Sequence, residues 1–99
     1  MVEFPIKGMT AEEIDTVFKE SSERYRHVKG LIRKYYIRTE DNTRGGGIYL
    51  FDTQESADRL YDAAWRKSFV ERYREEPNIR FFKCPIVVDN KVGEIVIES

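Results

Sequence analysis

Apolar and polar positions follow two rhythms along this chain, and the changes of rhythm predict its elements. MVEFPI is short, apolar-rich and contains Pro5, which predicts a first strand near residues 2–6 with the proline at its end. Thr10 followed by Glu13 makes a capping box, so a helix starts there. Ile14, Val17, Phe18, Ser21 and Tyr25 recur at helical spacing, while Glu12, Glu13, Lys19, Glu20, Glu23 and Arg24 fill the other face. That helix is expected to stop near residue 26. GLIRKYYIR, residues 30–38, is rich in β-branched and aromatic residues and predicts a strand. TEDNT is the turn, and GGGIYLF is the second strand of a hairpin. Asp52 with Glu55 reads as another capping box. Ala57, Leu60, Tyr61, Ala64 and Ser68 then mark a second amphipathic helix, broken after Trp65, continuing to Glu76 and closed by Pro77. NIRFFKCPIVV, residues 78–88, predicts a fourth strand, DNK a turn and VGEIVIE a fifth strand.

The order β-α-β-β-α-β plus one strand predicts an α+β fold of ferredoxin-like type, one domain over residues 1–99, with both helices on one face of an antiparallel sheet. Both parities of the hairpin are largely apolar. Ile32, Tyr36, Ile48 and Leu50 lie on one, and Leu31, Tyr35, Ile37, Tyr49 and Phe51 on the other. Two helices cover one side only, so the other side needs a cover. The simplest is a second copy of the sheet, which gives a homodimer whose sheets close into a barrel, with VGEIVIE pairing across it to protect an edge.

RNA-recognition domains share this order of elements, and RGGGIYLF, residues 44–51, comes close to their strand signature. The positions that would carry base-stacking aromatics are Gly46 and Ile48, and neither can stack a base. The chain carries 17 basic and 18 acidic residues, net charge -1, which also argues against a nucleic-acid partner. No apolar run reaches the roughly 18 residues of a membrane span. The lone cysteine, Cys84, excludes an intrachain disulfide and fits a reducing compartment. Lying in an apolar run, it reads as a buried small hydrophobe. With no signal peptide at its start, the chain reads as a cytoplasmic, soluble protein.

The run GLIRKYYIRTEDNTRGGGIYLFDTQESADRL resembles the mono-oxygenase group of the dimeric α+β barrel superfamily, related to antibiotic-biosynthesis mono-oxygenases. The resemblance rests on the Gly-Leu-Ile-x-Lys strand, the Gly-Gly-Ile-Tyr-Leu-Phe strand and the acidic helix start after it. It implies a dimeric barrel with a ligand cavity between the sheet and the helices of each subunit. It also implies oxidation of phenols or quinols with no metal and no flavin. The superfamily's haem-degrading relatives use an Asn on the first strand, a Trp on the second helix and a later His. Trp65 falls near that Trp, but the first strand has no Asn and no His follows Trp65, so haem degradation is set aside.

A symmetric hairpin about Glu40-Asp41-Asn42 would set Tyr35 opposite Gly47 and Arg33 opposite Tyr49. Arg33, Tyr35, Tyr49 and Phe51 would then share the helix-covered face, an assignment that a one-residue slip would reverse. The glycines either leave room for a cavity or mark a bulge or a tight hairpin start. Arg33 either holds an anionic substrate oxygen, pairs with a carboxylate of the first helix, or belongs to the dimer face. Trp65 is either a core or interface anchor or one wall of an aromatic slot, with Arg66 and Phe69 beside it. His27, the sole His, reads either as a cation at a helix end or as a base. No metal-ligand cluster or nucleotide loop is evident. In the catalytic reading Arg33, Tyr35 and Tyr49 act on a small aromatic bound by Phe51, Trp65, Arg66 and Phe69. Arg33 or Arg66 steadies the anion, Tyr35 or Tyr49 donates a hydrogen bond, and no cofactor takes part. The alternative is a non-catalytic homodimeric barrel that binds a small apolar molecule or serves a stress or regulatory role.

Overall fold

The computed structural model describes residues 1–97. Its elements are β1 (Val2–Pro5), α1 (Ala11–Tyr25), β2 (Leu31–Arg38), β3 (Arg44–Phe51), α2 (Gln54–Leu60), α3 (Ala63–Tyr73), β4 (Asn78–Ile79), β5 (Ile86–Asp89) and β6 (Glu94–Ile97). The first four strands form an antiparallel sheet in the order β2-β3-β1-β4. That is the strand order of a ferredoxin-like fold. β5 and β6 make a separate two-stranded arm, with Ile86 opposite Ile97 and Asp89 opposite Glu94.

The Thr10 capping box is present: Thr10 accepts from the Glu13 amide at 3.1 Å, and Glu13 accepts from the Thr10 amide at 3.0 Å. The second helical region departs from expectation in three places. Its cap is Thr53, which accepts from the Ser56 amide, while Asp52 accepts from the Ser56 hydroxyl. The break falls at Tyr61–Asp62 rather than after Trp65, because Asp62 caps a new helix through the Trp65 amide at 2.8 Å. The helix ends at Tyr73, with Arg74 left-handed, three residues short of Glu76.

The expected fourth strand over residues 78–88 is divided. Only Asn78 and Ile79 pair with β1, residues 80–85 have no strand partner among the described residues, and pairing resumes in the arm. Cys84 therefore lies exposed rather than buried. Val92 and Gly93 belong to the arm's turn, so the expected fifth strand begins two residues later; its last residue, Glu98, lies outside the described residues.

Val2, Phe4, Ile14, Phe18, Ala57, Tyr61, Phe69 and Tyr73 form the core between the sheet and the helices. Phe4 is its centre, packed edge-on to Phe69 at 5.2 Å and tilted on Tyr73 at 4.3 Å. Gly46 lets β3 lie close against β1, for a Cβ there would overlap the Val2 carbonyl oxygen and sit 2.9 Å from the Glu3 Cα.

Candidate functional site

The hairpin loop settles which residues face the helices. Thr39 and Arg44 close a four-residue loop, with the Thr39 amide donating to the Arg44 carbonyl at 2.8 Å and Asn42 at φ 59°. Asp41 accepts from the Thr39 hydroxyl and from the amide and hydroxyl of Thr43, which fixes the loop. The pairs are consequently Lys34 with Tyr49, Tyr35 with Ile48, and Tyr36 with Gly47. This is one residue from the symmetric hairpin, and in a strand one residue exchanges the faces. The expected placement of Arg33 and Tyr35 under the helices is thereby corrected: they lie on the open face. Tyr35 is 53% exposed, and Arg33 reaches Asp89 of the arm at 3.6 Å. A register shift between Leu31 and Arg33 returns Leu31 to a position opposite Phe51.

In their place, Lys34 and Tyr36 enter the space beneath α1 and α3. The Lys34 Nζ lies 3.5 Å from the centroid of the Tyr25 ring, 4.0 Å from that of Tyr36 and 4.4 Å from that of Tyr49. Arg72 and Tyr73 of α3, Phe18 and Ser21 of α1, Phe69, Val2, Phe4, Gly46 and Gly47 complete the cleft. Among the described residues its lining holds two basic side chains, four tyrosines and no carboxylate. Gly47 makes the space: a Cβ there would stand 3.0 Å from a Tyr49 ring carbon and 3.1 Å from the Lys34 Cε. The free volume is about 10 Å³, room for one water. Phe18 and Tyr36 also form a wall of an open groove of about 640 Å³ between α1 and the edge strand β2, so the cleft and the groove share that pair of rings. The Ser21 and Tyr36 hydroxyls are hydrogen-bonded at 2.7 Å at that wall.

Burial sets the ionisation of these groups. The Lys34 ammonium is pushed down to about 6, first by burial and then by the charges of Arg72 and Arg24. The aromatic faces around it favour the cation and oppose the shift. Burial raises the Tyr36, Tyr49 and Tyr73 hydroxyls, so each remains a hydrogen-bond donor across the ordinary pH range. Among the described residues the Lys34 ammonium makes no ion pair and no side-chain hydrogen bond. No group of three or more His, Cys, Asp or Glu side chains able to hold a metal ion occurs among them either. No helix among them is long and apolar enough to cross a membrane.

Of the residues singled out from the sequence, Tyr49 and Phe69 line the cleft. Phe51 stands behind Tyr49, stacked at 6.1 Å. Trp65 reaches the cleft through Tyr25, whose hydroxyl accepts from the indole N–H at 3.0 Å. Arg66 is exposed and His27 lies in the turn after α1; neither lines the cleft. Lys34, Tyr36, Arg72 and Tyr73 were not singled out for the site. Lys34 follows directly from the correct register, and it is the Lys of the Gly-Leu-Ile-x-Lys strand. Residues 1–82 match the family described as Putative mono-oxygenase ydhR. No curated protein matches the chain.

Proposed function

The chain belongs to the ydhR family, and from that membership we propose a cofactor-independent mono-oxygenase that oxidises a small phenol or quinol in the cleft between sheet and helices. The observation that carries this reading is the cleft lining: cationic and hydroxylic groups on aromatic walls, without a carboxylate. Such a lining suits an aromatic anion and repels no part of it. One phenol and one O₂ give one quinone and one water. The ring supplies four electrons, one oxygen atom enters the ring, and the other leaves as water with both displaced hydrogens. The protein has to hold the anion in a dry place with positive charge near its oxygen. Arg72 supplies that charge, the Tyr49 hydroxyl donates to the same oxygen, and Phe69 lines the slot. The cleft as it stands has room for one water, so it has to widen to take a phenol, which in this proposal happens where the Phe18 and Tyr36 rings part toward the groove beside β2.

The test is oxygen uptake by metal-free, flavin-free protein over a panel of hydroquinones and polyphenols, against heat-denatured protein. Uptake should scale with protein, and Arg72→Met should lower kcat/KM about 100-fold while leaving the fold intact, as for loss of one charge-stabilising donor. No uptake across the panel would move the weight to a non-catalytic barrel that binds a small molecule.

The active form in this proposal is a homodimer joined through the open face of the sheet. That face exposes Ile32, Tyr35 and Ile48, and the arm region exposes Phe81, Phe82, Ile86, Val88, Val92 and Ile95. Light scattering is expected to give twice the chain mass. Ile48→Asp, which sets a charge at the centre of the face, is expected to give a folded monomer. A monomeric wild type at micromolar concentration would remove the dimer.

A further inference from the structure

We infer that Lys34 is the general base of this site: its neutral amine removes the hydroxyl proton of a phenol bound in the cleft. The inference rests on the reading of the cleft as a phenol site, and it assigns the step on which oxidation by O₂ depends.

The cleft offers one proton acceptor. Its polar side chains are Ser21 and Tyr25 of α1, Lys34 and Tyr36 of β2, Tyr49 of β3, and Arg72 and Tyr73 of α3. The charge of Arg24 also reaches Lys34. An arginine keeps its proton, and a serine or tyrosine hydroxyl has none of the basicity needed near neutral pH. Tyr36, Tyr49 and Tyr73 are held further from ionisation by burial. His27 lies outside the lining. An amine is the one group left that can accept a proton.

Its surroundings keep that amine ready. Three tyrosine rings hold the Nζ between 3.5 and 4.4 Å from their centroids, and no carboxylate in the lining fixes it as an ammonium. Burial disfavours its charged form, and so do the guanidinium groups of Arg72 and Arg24. Once a phenol has given up its proton the balance reverses. The phenolate stands against the new ammonium, and the aromatic faces stabilise that ammonium too. The amine takes the hydroxyl hydrogen as a proton and returns it to the oxygen that departs as water. The lysine is unchanged over one turnover, and the balance of one phenol and one O₂ to one quinone and one water is kept.

The experiment reads protonation and oxidation separately. The probe is 4-nitrophenol, whose phenolate absorbs in the visible, titrated with protein in argon-purged buffer at a pH where the free probe is mostly protonated. Wild type should raise the phenolate band with protein concentration, at least tenfold above Lys34→Met. Lys34→Arg keeps the positive charge but cannot take the proton, so any phenolate it holds should appear with release of a proton to the medium, read by a pH indicator in weak buffer, whereas wild type should form the phenolate without that release. Circular dichroism of both variants checks that the fold is kept, and Lys34→Gln replaces a variant that misfolds. Absence of the band with wild type, or its persistence in Lys34→Met, overturns the assignment. Release of a proton with each phenolate formed by wild type, as in Lys34→Arg, also overturns it, because the residue then acts as a charge and not as a base. A Lys34-dependent band without oxygen uptake on the substrate panel upholds the base and sinks the mono-oxygenase reading instead.

Discussion

Gly46→Ala is expected to cost at least about 3 kcal/mol, a large share of the margin of a small domain. The added methyl would overlap the carbonyl oxygen of Val2 and lie 2.9 Å from the Cα of Glu3. Both are backbone atoms of β1, and β1 pairs with β3 on one side and β4 on the other. It cannot retreat without breaking one ladder and drawing Val2 and Phe4 out of the core. Gly47→Ala is the contrast. Its methyl would meet the Tyr49 ring and the Lys34 stem at 3.0 and 3.1 Å, and a lysine stem can turn aside. It should unfold near the wild-type midpoint while crowding the cleft. Urea unfolding followed by circular dichroism separates the two, and an unchanged midpoint for Gly46→Ala would show that β1 and β3 part easily.

Lys34→Met should make the protein more stable at pH 7, by on the order of 3 kcal/mol, with the gain gone by about pH 10. Unfolded, a lysine keeps its proton to about pH 10. Folded, Lys34 releases it near 6. Between those values the unfolded chain binds a proton that the native state lacks, so native stability rises with pH. Below 6 both states are charged and the penalty is full; above about 10 both are neutral and it is absent. Methionine keeps the apolar stem and removes the titrating group. Denaturant midpoints of both proteins from pH 5 to 10 give the answer. A constant difference across that range would mean that the tyrosine rings hold Lys34 charged. A stabilising loss of this kind is what a functional residue held at a cost to the fold would show.

The elements were legible in the sequence where one local rule decided them. Thr10 and Glu13 began the first helix as expected, and the two-strand stretch around the turn formed a hairpin. The site was less legible because it depended on a count. A four-residue loop instead of a three-residue one moved Lys34 under the helices and Arg33 out of them, and nothing in the alternation reveals loop length when both parities are apolar. Asn42 at positive φ and the hydroxyls of Thr39 and Thr43 take up the added residue. The segment Arg80–Pro85 misled for another reason. Its apolar residues suit a strand, but a strand needs an edge to pair with, and the pairing to β1 stops at Ile79. Phe81 instead lies near the Tyr61 ring, and Cys84 remains in the open. Arg72 and Tyr73 sat at the end of a helix whose pattern marked its start more clearly than its buried face.

The hydrogen bond from Trp65 to Tyr25 gives the cleft an optical reporter. Trp65 is the chain's only tryptophan, so fluorescence excited at the red edge of indole absorption comes from one place. That place is one hydroxyl away from the ring that carries the Lys34 Nζ. A proton arriving on Lys34, or a ring displacing Tyr25, changes the field and the hydrogen bond at the indole together. Occupancy of the cleft can thus be followed in the unlabelled protein, from its own emission.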